Sequence, residues 1–293
     1  MKKVLSIALV VVITLALIVG CAKPAVNEPA PAPVETNQEA AKYEDGIYFA
    51  QEDGFAGSSG WKYVVTIEVK DGKIIKAGWN GAHKNGGTDK KTRSASGEYG
   101  MKANGGAQAE WHEQAGLVEA YLLETQDPKA ITYTNAEGNT DAISGASIHV
   151  KEFFTLAEKA LANSPVGKGQ YKDGAYHAED KAFDEKSGWK NTVDLTIING
   201  YIVAADWNGI HKDGGDDKDT QSADGRYGMK AYGGAKAEWH EQAALAEAYL
   251  LEKQDPTAIA YTNAEGNTDA ISGASIKVKE FFTLAEEALA SAK

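Results

Sequence analysis

Apolar and polar side chains alternate with a period of two in the first folded stretch of this chain. Lys62–Val69 alternates β-branched and polar residues, and Ile47–Ala50 and Lys73–Trp79 show shorter forms of the same pattern. The pair Asp71-Gly72 lies between the last two segments and favours the tight turn of a β-hairpin. The pattern therefore predicts a small antiparallel sheet.

Two later segments change to the helical period. Residues 107–125 form the first predicted helix, and Asp127-Pro128 ends it. Its apolar face consists of Trp111, Ala115, Val118 and Leu122. The second predicted helix follows Ser147, and its apolar face consists of Val150, Phe153, Phe154, Ala157, Ala160 and Leu161. Asn80 to Gly106 is predicted to be a long, glycine-rich functional loop, and 131–134 a further short strand.

The whole pattern then recurs without a gap. Tyr43 matches Tyr171 and Pro128 matches Pro256, and every matched pair is separated by 128 positions. Each unit has the size of an ordinary domain. The sequence thus predicts two tandem homologous α+β domains, residues 43–163 and 171–293, joined by the linker 164–170. Each domain is expected to be a small antiparallel sheet with packed helices.

The N-terminus has the features of a lipoprotein signal. Met1–Lys3 is a short basic head, Val4–Gly20 carries no charge, and Cys21, the only cysteine, follows directly. Residues 1–20 are therefore predicted to be a signal peptide and Cys21 a lipidation site. The Pro-rich segment 21–42 is predicted to be a disordered tether, because it has too few apolar residues to form a core.

Composition narrows the possible partners. The chain has 30 Lys and Arg against 42 Asp and Glu, a formal net charge of −12. This negative charge argues against a nucleic-acid partner and against a polybasic membrane contact. The lipid is left as the membrane attachment, which predicts a location at the extracytoplasmic face of the cell membrane. The single cysteine also excludes disulfides within the chain.

The clearest chemical motif is a seven-residue segment present in both repeats. Asp-Ala-Ile-Ser-Gly-Ala-Ser occupies 141–147 and 269–275. Because a helix is predicted directly after it, Ser144–Ser147 is expected to be the first turn of that helix, where free amides and the helix dipole favour an anion. A serine there could cap the helix, bind a phosphate or be esterified to one.

This motif resembles the acceptor motif of covalently flavinylated FMN-binding domains, Asp-x-x-Ser/Thr-Gly-Ala-Ser/Thr. In that family a flavin transferase joins FMN through its phosphate to the last hydroxyl. The resemblance implies two covalent FMN groups, on Ser147 and Ser275, and recognition by the transferase through Asp141 and Asp269. The remaining motif positions implied to bind the cofactor are Ser144, Gly145, Ala146, Ser272, Gly273 and Ala274. The resemblance extends to the Asp-Gly-x-Tyr segments at 45–48 and 173–176.

Several other residues are candidates for contact with the flavin ring. They are Trp79, His83, Tyr99 and Met101 in the first repeat and Trp207, His211, Tyr227 and Met229 in the second. Aromatic side chains could stack on the ring or pack in the core. Trp79, next to the long loop, favours the ring, and Trp111 favours the core. The histidines could form structural hydrogen bonds or line the pocket, and their spacing matches no metal-ligand motif. No catalytic constellation is recognisable.

Two functions remain open on the sequence. The resemblance favours an electron carrier of flavin-based extracellular electron transfer rather than an enzyme with its own substrate. Its implied partners are a membrane NADH/quinone oxidoreductase as electron source and extracellular acceptors such as ferric iron. The alternative is a surface lipoprotein that binds a ligand or partner without covalent flavin. A yellow colour that survives denaturation distinguishes the two.

Overall fold

Two three-stranded antiparallel sheets, each packed with helices, form the architecture of this chain in a computed structural model, which confirms the α+β class. The structure describes residues 42–293. The signal peptide predicted for 1–20, the lipidation site Cys21 and all but the last residue of the tether 21–42 therefore lie outside the described residues.

The same element order appears in both repeats. The first contains β1 (Gly46–Gln51), β2 (Trp61–Lys70), β3 (Lys73–His83), α1 (Lys90–Ala95), α2 (Met101–Gly105), α3 (Trp111–Thr125) and α4 (Lys151–Leu161). The second contains β4 (Gly174–Glu179), β5 (Trp189–Ile198), β6 (Tyr201–His211), α5 (Lys218–Ala223), α6 (Met229–Gly233), α7 (Trp239–Lys253), a 3-10 turn (Pro256–Ala258) and α8 (Lys279–Leu289).

The predicted β2–β3 hairpin is confirmed. Asp71 and Gly72 both have positive φ, 52° and 71°, as the favoured two-residue hairpin turn requires. Asp45, at the start of β1, accepts a hydrogen bond from the Gly72 amide at 2.9 Å. Asp173 does the same for Gly200 at 2.7 Å. The aspartate of the Asp-Gly-x-Tyr segment therefore ties the first strand to the turn of the hairpin.

Three predictions about individual elements were wrong, namely one helix start, one loop and one strand. Helix α3 begins at Trp111 rather than at 107, because Glu110 and Glu113 form a capping box there. The segment 80–106 is not one loop: β3 continues to His83, and α1 and α2 follow. Residues 131–134 form no strand, because this stretch bonds to the loop that follows it, with Thr140 Oγ1 donating to Thr132 O at 2.6 Å.

Each sheet buries one face under the two long helices of its own repeat. In the first repeat, Val65 and Ile67 from β2 pack against Val118 of α3 and Phe153 of α4, and all four are fully buried. The predicted apolar face of α3 is confirmed, because Trp111, Ala115, Val118 and Leu122 are all buried. A matching core fills the second repeat.

A third apolar cluster joins the two repeats within one compact unit. Val64 and Ala82 of the first sheet meet Val203 and Ala204 of the second, and the Phe49 ring stacks on Tyr201 at 5.0 Å between centroids. The linker is held on both sides, since the Val166 amide donates to Ile47 O at 2.8 Å and the Gly169 amide to Asn199 O at 2.9 Å. The face of each sheet that points away from its own helices is thus covered by the other repeat. A site can therefore form on the helix side of each repeat.

Candidate functional site

The serine-containing motif lies before the second long helix rather than in its first turn. Helix α4 begins at Lys151, and Val150 precedes it without a side-chain cap. The Val150 amide donates to Gly138 O at 2.8 Å, and the helix starts at the next residue, four positions after Ser147. The expectation that Ser144–Ser147 caps this helix, or places an anion on its dipole, was therefore wrong.

The segment before the motif closes into a hydrogen-bonded loop. Asn135 Oδ1 accepts the amides of Gly138 and Asn139 at 3.0 and 2.9 Å, and Asn139 Nδ2 donates to Ser147 O at 3.1 Å. Asn263 and Asn267 make the same contacts around Ser275. This network explains why Thr-Asn-Ala-Glu-Gly-Asn-Thr accompanies the motif in both repeats.

Within the motif, the residues divide into an anchor and an exposed loop. Ile143 is buried in the core, whereas Asp141, Ser144 and Gly145 are exposed. Gly145 has φ +88°, and a Cβ there would lie 3.0 Å from Leu117 Cδ1, so only glycine fits without strain. Ala146 packs partly against the core. The second repeat reproduces the pattern with Asp269, Ile271, Ser272, Gly273 and Ala274. The motif is accessible to a modifying enzyme.

A buried glutamine, which the sequence reasoning missed, holds the last serine. Gln114 Oε1 accepts three hydrogen bonds, from the Ser147 amide at 2.7 Å, the Ser147 hydroxyl at 3.1 Å and the Ile148 amide at 3.2 Å. Its Nε2 donates to Ala109 O at 3.0 Å. Gln242 holds Ser275 in the same way. The signal in the sequence was a glutamine on the apolar face of each α3-type helix, directly before Ala115 and Ala243.

Each serine opens onto a cavity with aromatic walls. The cavity of the first repeat, about 320 Å³, is lined by Tyr63, Tyr99, Met101, Trp111, Ser147, Ile148, His149 and Glu152. The cavity of the second repeat is larger, about 590 Å³. Ser275, Trp189, Trp207, Tyr227, Met229 and Trp239 are among its lining residues. Both volumes lie in the range of small-molecule sites, about 300–1,000 Å³.

The cavities include some of the predicted ring contacts and exclude others. Tyr99 and Met101 line the first cavity, and Tyr227, Met229 and Trp207 line the second. Trp79 lies in the core at 1% exposure, behind the Tyr63 ring at 5.3 Å between centroids. Trp79 is therefore a core residue rather than the expected loop residue beside the ring, because β3 continues past it to His83.

His149 lines the first cavity, whereas the histidines that the two repeats share, His83, His211, His112 and His240, lie outside both linings. His83 packs edge-on against Trp61 at 5.2 Å, and His211 against Trp189 at 5.1 Å. Burial, with a smaller contribution from Arg93, holds the pKa of His83 below its usual value. His112 Nδ1 is 3.0 Å from the Ser94 hydroxyl, which is a structural hydrogen bond between α3 and α1. In residues 42–293, no group of His, Cys, Asp and Glu side chains could hold a metal ion.

A buried lysine lies beside each cavity, and neither was anticipated. Lys90 is 2% exposed, and its Nζ lies 4.6–5.2 Å from the ring centroids of Trp61, Tyr63, Tyr99 and Trp111. Lys218 is 9% exposed, with Nζ 4.3 Å from the Trp239 ring. Burial lowers the pKa of both lysines to about 8. Both therefore remain largely protonated at neutral pH, each against a wall of aromatic rings.

These features fit a flavin nucleotide. Each serine is exposed and lines its cavity, and its hydroxyl donates a hydrogen bond to a glutamine side-chain carbonyl, which orients it. Aromatic and methionine walls suit a flat conjugated ring. The Lys218 ammonium, which lines the second cavity, suits an electron-rich ligand.

Comparisons with known proteins add two structural likenesses. No protein-family profile matches the chain, and no curated protein matches it. It is similar to a Clostridium thermocellum protein solved by solution NMR, at 55% identity and a TM-score of 0.34 over 43% of this chain and 98% of that one. It is also similar to a Clostridium perfringens protein in a crystal structure, at 27% identity and a TM-score of 0.33 over 42% and 89%. Both are structural-genomics targets.

The helices carry no sign of a membrane span. Across residues 42–293, none combines the length and the apolar character needed to cross a bilayer.

Proposed function

We propose that this protein is a lipid-anchored flavoprotein with one FMN on each repeat, joined through its phosphate to Ser147 and Ser275, and that it carries electrons. The observation that carries the proposal is the pairing, in both repeats, of an accessible motif serine with a cavity of aromatic and methionine side chains. Bound FMN would supply one- and two-electron chemistry. The protein would hold the ring, orient the acceptor hydroxyl and shield the ring from solvent.

A flavin transferase is the partner that the proposal requires for maturation. Asp141 and Asp269 are exposed on the same loops as the acceptor serines, so they are available for recognition. Gln114 and Gln242 fix the serine backbone before any flavin arrives. In the transfer, the serine oxygen would bond to the FMN phosphorus while the phosphoanhydride bond of a flavin dinucleotide donor breaks. The nucleoside monophosphate would leave, and the hydroxyl proton would pass to solvent.

The proposed role of the protein is to carry electrons. Lipidation at Cys21 would hold the protein at the outer face of the membrane, where a membrane NADH/quinone oxidoreductase would supply electrons. Extracellular acceptors such as ferric iron would receive them. Two flavins on one chain give each a high effective concentration near the other. A covalent bond would prevent loss of the cofactor outside the cell.

Intact mass after denaturation tests the proposal. Co-expression with a flavin transferase is expected to give two FMN per chain, and peptide mapping is expected to place them on the peptides containing Ser147 and Ser275. The matched variants Ser147→Ala and Ser275→Ala should each retain one flavin. A chain that binds flavin only before denaturation, or binds none, would instead support the ligand-binding lipoprotein.

A further inference from the structure

One position in the cavity wall differs between the two repeats in a way that changes the lysine beside it. Tyr63 of the first repeat corresponds to Asn191 of the second, 128 positions later on the equivalent strand. Tyr63 lines the first cavity and Asn191 the second. The phenol is much larger than the amide, and the first cavity has about 320 Å³ against about 590 Å³ for the second.

In the first repeat, Tyr63 binds the ammonium group of Lys90. Lys90 Nζ donates to the Tyr63 hydroxyl at 3.2 Å, and its ammonium lies 4.8 Å from the centroid of the same ring. Tyr63 therefore separates this positive charge from the space beside Ser147. Lys90 is accordingly absent from the lining of the first cavity.

In the second repeat the lysine faces the cavity. Lys218 lines it, and within residues 42–293 its ammonium forms neither a hydrogen bond nor an ion pair. The Asn191 side chain binds Asp180 rather than the lysine, because its Nδ2 donates to Asp180 Oδ2 at 2.7 Å. A positively charged side chain, nine-tenths buried, is thus left to interact with whatever occupies the cavity.

The carboxylates that act on the two lysines occupy matching positions, but two more carboxylates line the second cavity than the first. Glu52 and Glu152 are the carboxylates that act on Lys90, and Asp180 and Glu280, the matching positions, act on Lys218. Asp184 in the second cavity has an alanine, Ala56, at the matching position. Lys277, which replaces His149 in the lining, balances Asp184 in formal charge. Asp180 also lines the second cavity, whereas Glu52 does not line the first, but Asp180 accepts hydrogen bonds from the Asn191 amide and side chain at 2.8 and 2.7 Å. The exposure of Lys218 to the cavity is the difference that remains.

We propose that Lys218 places a positive charge in contact with the flavin on Ser275, whereas Tyr63 keeps Lys90 from contacting the flavin on Ser147. The flavin of the second site therefore has the higher reduction potential. This inference rests on the proposed function. Two-electron reduction with uptake of one proton from water adds a negative charge to the ring. An ammonium beside the ring in a low-dielectric cavity stabilises that charge and raises the reduction potential.

The test uses proteins with one flavin each, made with a co-expressed flavin transferase. Ser147→Ala isolates the second site and Ser275→Ala the first, and intact mass establishes that each carries one covalent flavin. Anaerobic titration with dithionite against reference dyes, followed by visible absorbance, then gives each midpoint potential. We expect the higher potential in the Ser147→Ala protein.

Exchange of the differing residue gives the sharper comparison. Tyr63→Asn should raise the midpoint potential of the first site, and Asn191→Tyr should lower that of the second. Lys218→Gln should also lower it, Lys218→Arg should keep it, and Lys90→Gln in the first site should cause a smaller shift than Lys218→Gln. Thermal unfolding of each variant checks that the fold is kept.

The outcomes separate the two proposals. Absence of covalent flavin from both single-site proteins overturns the proposed function. Covalent flavin whose potential is unchanged by Lys218→Gln overturns this inference alone. If Asn191→Tyr blocks flavin attachment, the midpoint potentials of Tyr63→Asn and Lys218→Gln test the proposed effect of the lysine. Unchanged potentials in both variants reject that effect, and shifts in the stated directions support it.

Discussion

Ser147 and Gln114 are 33 residues apart in the chain, yet the Ser147 hydroxyl donates a 3.1 Å hydrogen bond to the Gln114 side-chain carbonyl. The same carbonyl accepts the Ser147 amide, so one residue of helix α3 fixes both the backbone and the side chain of the motif serine. Gln114 is only 1% exposed and is present as Gln242 in the second repeat. The motif serine is thus positioned by a helix that the motif itself does not include.

The first prediction concerns this glutamine. Gln114→Leu should lower flavin attachment at Ser147 and leave Ser275 unaffected, because only the first motif loses its support. Leaving the Ser147 and Ile148 amides without their acceptor should also cost about 1–3 kcal/mol of stability. Peptide mass ratios measure attachment, and urea denaturation measures stability. The mirror variant Gln242→Leu is the control. Full flavin occupancy at Ser147 in a folded Gln114→Leu protein would contradict the assigned role.

The second prediction separates the roles of the motif residues. Ser147→Thr should still be flavinylated and Ser147→Ala should not, because attachment requires a hydroxyl. Asp141→Ala should lower attachment through weaker recognition by the transferase. Loss of the hydrogen bond to Gln114 should cost Ser147→Ala about 0.5–1.5 kcal/mol. Intact mass measures each case. Two flavins on the Ser147→Ala protein would place the bond on another hydroxyl.

The two repeats also differ in their buried charges. Lys91 Nζ lies 2.7 Å from Glu119 in the first repeat, but the matching pair in the second is Asp219 and Glu247. Burial, with Asp206 and Asp219 adding to it, raises the pKa of Glu247 to about 8. Burial and Asp219 raise the pKa of Asp206 to about 7. The second repeat therefore retains protons that its unfolded chain releases.

The third prediction follows from these two acids. Since their folded pKa values lie above the unfolded values of 4.5 and 3.8, the folded state binds more protons between these limits, and stability should fall as the pH rises from about 5 to about 8. Each group contributes a slope of at most about 1.4 kcal/mol per pH unit. Urea denaturation of the wild type and of Glu247→Gln, whose Oε1 can still accept the Trp207 amide, measures the difference.

Glu119→Gln is the matched control for that experiment. This substitution removes the partner of Lys91, so it should destabilise the protein at neutral pH. Glu247→Gln should instead make stability less dependent on pH and increase it near about pH 8. A Glu247→Gln protein with the same pH dependence as the wild type would show that this carboxyl group does not titrate as described.

The fourth prediction concerns the destination of the electrons. Reduced protein should be reoxidised by small extracellular acceptors such as chelated ferric iron. No tight substrate-binding step is expected, because the flavins are proposed to pass electrons directly to the acceptor. Stopped-flow absorbance measures the rate against acceptor concentration. Saturation at low acceptor concentration, with strong selectivity among acceptors of similar potential, would indicate a dedicated reductase pocket.

Replacement of both acceptor serines tests the same prediction in cells. The double variant Ser147→Ala/Ser275→Ala should remain folded and lipidated but should not support acceptor reduction. The measurement requires whole cells that lack other carriers and contain equal amounts of the wild-type or variant protein. Reduction at the wild-type rate by the double variant would reject the electron-carrier function.

Local patterns in the sequence determined the repeat, the α+β class, the β2–β3 hairpin, the buried face of α3 and the motif serines. These features depend on side-chain periodicity and on the conformational preferences of neighbouring residues, such as Asp71-Gly72. Tertiary structure alone decided that Gln114 holds Ser147, that Trp79 lies in the core and that Lys218 faces a cavity while Lys90 does not. Each of these depends on contacts between residues far apart in the chain, which periodicity does not encode. The helix after Ser147 is an example. Phe153, Phe154, Ala157 and Ala160 of its predicted apolar face are buried and Leu161 is partly buried, but the helix begins where the folded loop forms the Val150–Gly138 hydrogen bond.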